Sequence, residues 1–409
     1  MDFNDTPEQA KFRKEVQDWL QANAIPIRYP RELFYPELPE SERLQLAQTW
    51  QHKKAESGFA AITWPKEYGG RGGSQIEKVI YSQEEANYCV PFGFFEISLG
   101  MCIPTLMSYG SSEEKDRYVK PALYGDEIWV QMFSEPSAGS DLAGIRTKAV
   151  KEDDDWIING QKVWTTCAQF ADYGIVLTRT NPDAPKHKGL TMFYIDMKSP
   201  GVEVRPIVQM NGQSEFNEVF FTDVKIPDSQ RLGDIDNGWN VALTTLMFER
   251  LTVGSDIGLI DYQALFELSK RVIFHNGEPA IENPAVRSRI ADSYLKGEGL
   301  RLHLCRAITA LSAGQTPGPE QSLVKLVSAL EAQNLAEYAM DLMGEMALMS
   351  SKELGDNWKA IEHSWTMSAA MRIAGGTDEV LKNIISERIL GLPGEIRNDK
   401  NIPFNQIPQ

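Results

Sequence analysis

The chain has 409 residues, of which 42% are hydrophobic and 24% charged, and its net charge is −16. Single cores stop growing near ~250–300 residues, so two or three domains are expected, and the composition excludes a disordered chain. The acidic balance and the lack of any Lys/Arg-rich run exclude the basic footprint of a nucleic-acid binder and argue against an anionic membrane surface.

The chain opens on MDFNDTPEQAKFRKEV, acidic and amphipathic, without the apolar core of a signal peptide. Thr6 reads as a helix N-cap, Pro7 as the first helical residue and Gln9 as the partner in a capping box. Residues 7–125 read as helical, with Phe12, Val16, Trp19 and Leu20 on one apolar stripe. The Gly-rich run from Trp64 to Gly73 interrupts them as a loop. The stretch Tyr88–Met107 is the most apolar, but Pro91, Glu96 and Pro104 make it a buried helix with a loop rather than a membrane span. From Glu127 short β-type runs follow at 128–133, 156–166, 173–180, 190–197 and 217–226. Asn159-Gly160, flanked by WII and QKVW, predicts a hairpin turn inside an antiparallel all-β domain. From Gly238 the pattern is helical again, over 238–274, 284–313, 317–350 and 377–390, with Thr377 as cap of the last helix. The expected fold is mainly α with a central β domain: a helical N-terminal domain (1–126), a middle β domain (127–235), a C-terminal helical bundle (236–392) and a tail (393–409) laid over a surface.

No GxGxxG follows a strand and no P-loop is present, which disfavours a nicotinamide enzyme or a kinase. No GxSxG elbow supports a serine hydrolase. Cys89, Cys102, Cys167 and Cys305 are scattered and read as free thiols of a reducing compartment. The five histidines (52, 187, 275, 303, 363) show no metal-ligand spacing, so no metal is expected. The informative segment is Ser134-Glu135-Pro136-Ser137-Ala138-Gly139-Ser140-Asp141-Leu142-Ala143-Gly144, at the end of a strand. Small residues and hydroxyls let such a loop approach a phosphate with its N–H groups as donors. A plain turn between strands is the other reading of the same residues.

This segment is followed by Asn159-Gly160-Gln161-Lys162-Val163-Trp164-Thr165-Thr166. Near the C-terminus come Ala374-Gly375-Gly376-Thr377-Asp378-Glu379-Val380 and Ile384-Ile385-Ser386-Glu387-Arg388-Ile389-Leu390-Gly391. With the Pro65…Gly69-Gly70 loop and Tyr109-Gly110-Ser111-Ser112-Glu113-Glu114-Lys115, the ordered set resembles the acyl-CoA dehydrogenase family over about residues 5–392. The resemblance implies a helical N-terminal domain, an antiparallel β-barrel or sandwich and a C-terminal four-helix bundle. FAD would lie between β-domain and bundle, partly against a neighbouring subunit. It implies FAD contacts at Phe133, Ser134, Gly139, Ser140, Trp164, Thr165, Thr166, Thr377, Asp378 and Glu379, with Trp164 packed on the isoalloxazine; a core strand aromatic is the plainer alternative for Trp164. Gly344 matches a loop that touches another subunit's FAD, although the usual paired glycines are reduced to one. Ser140, Phe248, Arg250, Gly375 and Gly376 match substrate positions. The implied partners are an acyl-CoA, an electron-transfer flavoprotein as acceptor and further copies in a homodimer or homotetramer, in the cytoplasm. The segment that reaches a neighbour's FAD in many relatives is altered around Lys270-Arg271-Val272-Ile273-Phe274, which an Asn-Gly-containing insertion follows.

Taking an α-proton from a thioester needs a partly desolvated carboxylate, because burial raises its pKa toward the working pH. Many members of the family place this Glu where Gly375 stands here. A second subgroup, including isovaleryl-CoA dehydrogenase, carries it on a bundle helix before an Arg, and Phe248-Glu249-Arg250-Leu251 matches that place. On a helix, Glu249 shares a mostly apolar face with Ala242, Thr245, Leu246, Thr252 and Val253. The alternative is an exposed Glu-Arg surface pair. The implied reaction is dehydrogenation to the trans-2-enoyl-CoA, with Glu249 taking the α-proton, flavin N5 the β-hydride and the backbone N–H at Gly375 donating to the thioester oxygen. A same-fold oxidase or monooxygenase, and a non-catalytic paralogue, are the competing readings.

Overall fold

In the computed structural model, residues 5–27, 38–252, 259–312, 318–319, 322–349, 358–397 and 399–407 are described. Their helices are α1 (Pro7–Asn23), α2 (Glu40–Glu56), α3 (Gln75–Glu85), α4 (Ile103–Tyr109), α5 (Ser112–Tyr124), α6 (Gly238–Thr252), α7 (Tyr262–Arg271), α8 (Pro284–Ser312), α9 (Ser322–Met343), α10 (Lys359–Met371) and α11 (Asp378–Ile384). The strands are β1 (Ile25–Pro26), β2 (Tyr88–Cys89), β3 (Trp129–Met132), β4 (Lys148–Glu152), β5 (Asp155–Thr166), β6 (Tyr173–Arg179), β7 (Leu190–Asp196), β8 (Val202–Pro206), β9 (Phe216–Pro227) and β10 (Arg231–Leu232). None of the described helices is long and apolar enough to cross a membrane. The chain forms two compact units, one of Met1–Pro39, Gly73–Pro91 and Val253–Gly394, the other of Glu40–Gly72, Phe92–Thr252 and Glu395–Gln409.

In the first unit α1 starts as its sequence dictates. The Gln9 N–H donates to Thr6 Oγ1 and the Thr6 N–H to Gln9 Oε1, closing the capping box. Phe12, Val16 and Leu20 are buried, and Arg13 ties α1 to α3 through Glu84 at 2.7 Å. The other core lies among α7, α8, α9 and α10, where Leu265, Leu268, Leu335, Ala339 and Ile361 pack together. Glu331 on α9, itself buried, accepts from Ser293 at 2.7 Å and Lys296 at 2.5 Å on α8.

The second unit is built on an eight-stranded sheet of order β10-β7-β6-β4-β5-β9-β8, with β3 paired to β6. Alternation along β6 and β7 feeds two cores. Ile175, Leu177, Met192 and Tyr194 face one, which Ile103 and Leu106 of α4, Val119 of α5 and Val241 and Ala242 of α6 complete. Val176, Phe193 and Ile195 face the other, with Trp156, Ile158, Val219 and Phe221. The tail is seated on this unit: the Phe404 N–H donates to the Ala184 carbonyl at 2.9 Å, and the Phe404 ring lies 3.8 Å from the Arg179 guanidinium carbon.

Four expectations need correction. The sheet is mixed, because β3 runs parallel to β6. Asn159-Gly160 is no turn: β5 runs straight through it, and the hairpin is made by Asp153-Asp154 between β4 and β5, with Asp153 at φ +54°. Asn159 instead bonds Asp223, at 3.0 Å and 2.9 Å, where the β5–β9 register shifts. The run 238–274 is two helices, since Asp261 caps α7 through the Ala264 N–H at 2.9 Å; residues 253–258 between them lie outside the described residues. Finally the sequence pattern does not mark α10: its buried face of Ala360, Ile361, Ser364, Met367 and Ser368 is itself small and partly polar, while the large apolar Trp365 stands exposed.

Gly160 has another task. A Cβ there would stand 2.5 Å from Thr147 Oγ1 and 2.6 Å from Thr147 Cα. Gly160→Ala is therefore expected to destabilise by about 1–3 kcal/mol through overpacking. It should lower the urea midpoint with an unchanged slope; a midpoint equal to the wild type contradicts the close-approach account.

Candidate functional site

The second unit brings two of the sequence motifs together. Chain leaving β3 passes Phe133 and Ser134, and the Ser134 carbonyl accepts the Val163 N–H of β5 at 2.9 Å. Glu135 then turns tightly, exchanging backbone bonds with Ala138 at 2.9 Å and 3.0 Å. Its carboxylate points inward, accepting from Lys162 Nζ at 2.8 Å and from the N–H groups of Arg146 at 2.6 Å and Thr147 at 2.9 Å. Lys162 Nζ also donates to the Phe133 carbonyl at 3.0 Å. Lys162 is 0% and Glu135 7% exposed. Burial pushes the Lys162 ammonium down to about 8 against the pull of Glu135. Burial alone would raise Glu135, but the Lys162 charge and the inward N–H donors hold its carboxyl below the ordinary value.

Beyond Lys162, β5 carries an extra residue: Lys162 pairs with Val219 but Thr165 with Asn217. In this bulge Trp164 takes φ +61°, and its side chain is 59% exposed, edge-on to Phe216 at 6.0 Å. Positive φ on a bulky residue is rare and costs ~1–3 kcal/mol. Thr165 is buried, its hydroxyl without a hydrogen-bond partner, and Thr166 is half-buried beside it. Pro136, Ser137, Gly139, Ser140 and Asp141 are exposed along the loop, and a Cβ on Gly139 would meet nothing within 4 Å. Arg179, whose guanidinium burial pushes down to about 10, pins the loop's far side through the Ala143 carbonyl at 2.6 Å. Lys186 holds Asp141 at 2.9 Å and the tail's Asp399 at 2.6 Å.

In the first unit Gly375 and Gly376 both take positive φ, +67° and +93°, ahead of α11. Thr377 caps that helix through the Val380 N–H at 3.2 Å. Asp378, 2% exposed, is gripped by Arg372 Nε at 2.7 Å and Nη2 at 2.6 Å, while Arg372 Nη1 reaches Gln333 of α9 at 2.9 Å. Lys325 of α9 donates to the Gly376 carbonyl at 2.6 Å. Glu379 is exposed, as is Gly344 at φ +57° just after α9.

Position 249 lies on α6, whose face of Ala242 and Thr245 is fully buried and whose Thr245 hydroxyl meets Thr105 of α4 at 2.9 Å. Phe248 is half-buried. The side chains of Glu249 and Arg250 lie outside the described residues. Three residues escaped the sequence reading as supports: Glu135, Arg372 and Lys325. Lys162 carried a usable signal. The buried positions Trp156 and Ile158 put every second residue of β5 inward, and a lysine on that register calls for a buried carboxylate. Among the described residues no cluster of three or more His, Cys, Asp or Glu is arranged to hold a metal. A surface groove of about 530 Å³ lined by Gln48, His52, Tyr124 and Asp126 contains none of the sequence-predicted residues.

Comparison with known proteins covers the chain almost end to end. Residues 6–126, 131–224 and 236–390 match the N-terminal, middle and C-terminal domains of acyl-CoA dehydrogenase. Acyl-CoA dehydrogenase FadE34 of Mycobacterium tuberculosis is 38% identical over 358 residues, 87% of this chain, which spans about half (47%) of that relative's length. Acyl-CoA dehydrogenase IpdE1 of the same organism is 34% identical, with 95% of this chain and 98% of the relative covered. The solved ChsE4-ChsE5 complex from M. tuberculosis matches at TM-score 0.81 and 28% identity, covering 97% of this chain and all of that one. The Tcur3481-Tcur3483 steroid ACAD matches at 0.78 and 26%, with 97% and 100% covered.

Removing one partner of a buried pair leaves the other charge uncompensated, at 3–5 kcal/mol when both are fully buried. The Arg372 side chain is 37% exposed, so a smaller loss applies. Asp378→Ala is expected to cost roughly 1–3 kcal/mol and to speed amide exchange in residues 372–380 of the purified protein. Wild-type exchange there would show that Asp378 does not organise the turn.

Proposed function

The chain belongs to the acyl-CoA dehydrogenase family and is one of its flavoprotein oxidoreductases, and on that premise we propose that it converts an acyl-CoA to the trans-2-enoyl-CoA with FAD as cofactor. The observation that carries this reading is Trp164. A large aromatic is held at positive φ in a strand bulge with most of its surface exposed, a strained arrangement that suits stacking on a flat ring system. The residues around it fit FAD. Ser134 and Thr166 carry hydroxyls close to Trp164 along the chain or across the β3–β5 contact, Thr165 has a buried hydroxyl without a partner, and the Gly139–Ser140 loop is open to a phosphate. Phe133, Gly344, Thr377, Asp378 and Glu379 are the further FAD contacts that this reading includes.

When bound, FAD supplies the acceptor for the β-hydride. Glu249, on α6, is the residue to which this reading gives the α-proton. The Gly375 N–H donates to the thioester oxygen as negative charge develops there. Phe248, Arg250, Ser140 and Gly376 orient the acyl-CoA. We assign electron-transfer flavoprotein as acceptor and a homodimer or homotetramer as the assembly. Because one structural neighbour is a steroid ACAD, a steroid-side-chain acyl-CoA belongs beside short, branched and aromatic ones in the substrate panel.

Two variants test the site. Trp164→Ala is expected to lower flavin occupancy or shift the visible flavin spectrum of the purified protein; full occupancy with an unchanged spectrum removes Trp164 from the ring. Glu249→Gln is nearly isosteric and is expected to keep flavin and melting temperature while slowing anaerobic flavin bleaching by at least ~10²-fold with the best substrate of the panel. Bleaching at the wild-type rate removes Glu249 from the mechanism.

A further inference from the structure

We propose that Lys162 is a positioning residue for the flavin-contact surface: paired with Glu135 beneath the sheet, it locks the exit of β3 and the bulge of β5 into one body and so fixes where Ser134 and Trp164 stand. This inference rests on the flavin reading of Ser134 and Trp164. Lys162 is fully buried and acts through its neighbours.

Taking two charges out of water costs several kcal/mol per ion, and an apolar pair of similar volume often serves stability as well or better. What an apolar pair lacks is direction. Here the ammonium is aimed at the Phe133 carbonyl (3.0 Å), and the carboxylate collects the N–H groups of Arg146 (2.6 Å) and Thr147 (2.9 Å). The Val163 N–H, bonded to the Ser134 carbonyl at 2.9 Å, closes the ring of contacts next to the bulge. Trp164 needs such support, because a residue at φ +61° persists only where its surroundings over-determine it.

The test begins with the wild-type protein as purified, by residue-resolved amide exchange. The N–H groups of Arg146, Thr147 and Val163 should open together, with protection factors agreeing within about threefold. Independent opening of Val163 overturns the proposal, with no variant involved. The second arm is Lys162→Met combined with Glu135→Gln, which leaves no unpaired buried charge; the glutamine oxygen accepts from one of the Arg146 and Thr147 N–H groups, and its amide nitrogen faces the other. The expected result is a melting temperature lowered by about 2–4 °C for the one N–H left without an acceptor, exchange at 163–166 at least ~10-fold faster, and a shifted flavin spectrum or lower occupancy. A merely structural pair predicts wild-type exchange and spectrum in this double variant, and that outcome overturns the proposal. If the double variant fails to fold, the wild-type exchange pattern decides. Wild-type protein without flavin would sink the flavin reading, while the exchange result would still judge the locking of the two segments.

Discussion

The buried contact between Lys162 and Glu135 is the constraint on which the β-sheet half of the site depends. Its distances are ordinary, 2.8 Å between charges and 2.6–3.0 Å to backbone groups. Its reach is not. It touches the end of β3, the tight turn at 135–138, the start of β4 and the middle of β5, four stretches that the fold brings together from residues 133 to 162. An ion pair at the surface would be worth ~0–1 kcal/mol and would fix nothing. Sealed beneath the sheet, the pair cannot be replaced by water without opening the core, so its geometry is imposed on the backbone above. Trp164 and Ser134 are two steps along the chain from Lys162 and one from Glu135.

The same device recurs in the helical unit. Asp378 is buried and gripped by Arg372, which is braced in turn by Gln333, and Lys325 holds the carbonyl of Gly376. Both places pair a charged clamp with backbone at positive φ: Trp164 and Cys167 in one, Gly375 and Gly376 in the other. The difference lies in which residue bears the strain. The turn before α11 uses glycine, for which positive φ is cheap. The bulge of β5 uses tryptophan, for which it is not, and the deeper clamp is found there. A chain indifferent to that indole would have placed glycine or asparagine in the bulge and needed less beneath it.

Much of this was legible in the sequence because local chemistry dictates it. The Thr6 and Thr377 caps follow from a hydroxyl before a helical run, and β6 and β7 from uninterrupted runs of strand formers. The order of helices, strands and helices, and the family, follow from motifs that keep their spacing. What failed was long-range. Asn159-Gly160 carries a hairpin signal, but the conformation of Gly160 answers to Thr147 crowding it from the neighbouring strand, which no local pattern encodes. The parallel pairing of β3 with β6 depends on where a strand some forty residues later is laid. Glu135 looked like one member of a Ser/Gly-rich loop, and only the inward register of β5 shows that its carboxylate has a buried partner. The supports were harder to read than the contacts, because supports are defined by what lies across the fold.

Gly375 links the two halves of the functional argument. In many relatives, by resemblance, a base stands at this position; here the residue is glycine at φ +67°, followed by another at +93°. A side chain at the first would need left-handed backbone, at roughly 1–2 kcal/mol for an L-residue, in a turn whose next carbonyl is already fixed by Lys325. Such a turn is well made to present a backbone N–H and poorly made to carry a carboxylate. If the reaction needs a base, the chain must supply it from a place with ordinary helical backbone. α6 is such a place: it is regular through Thr252, and its buried face passes through Ala242 and Thr245. One turn beyond Thr245 in the sequence of α6 comes Glu249, the proposed base. On the proposed reading the turn supplies an N–H donor, and the base comes from another position, for which Glu249 is the proposed residue.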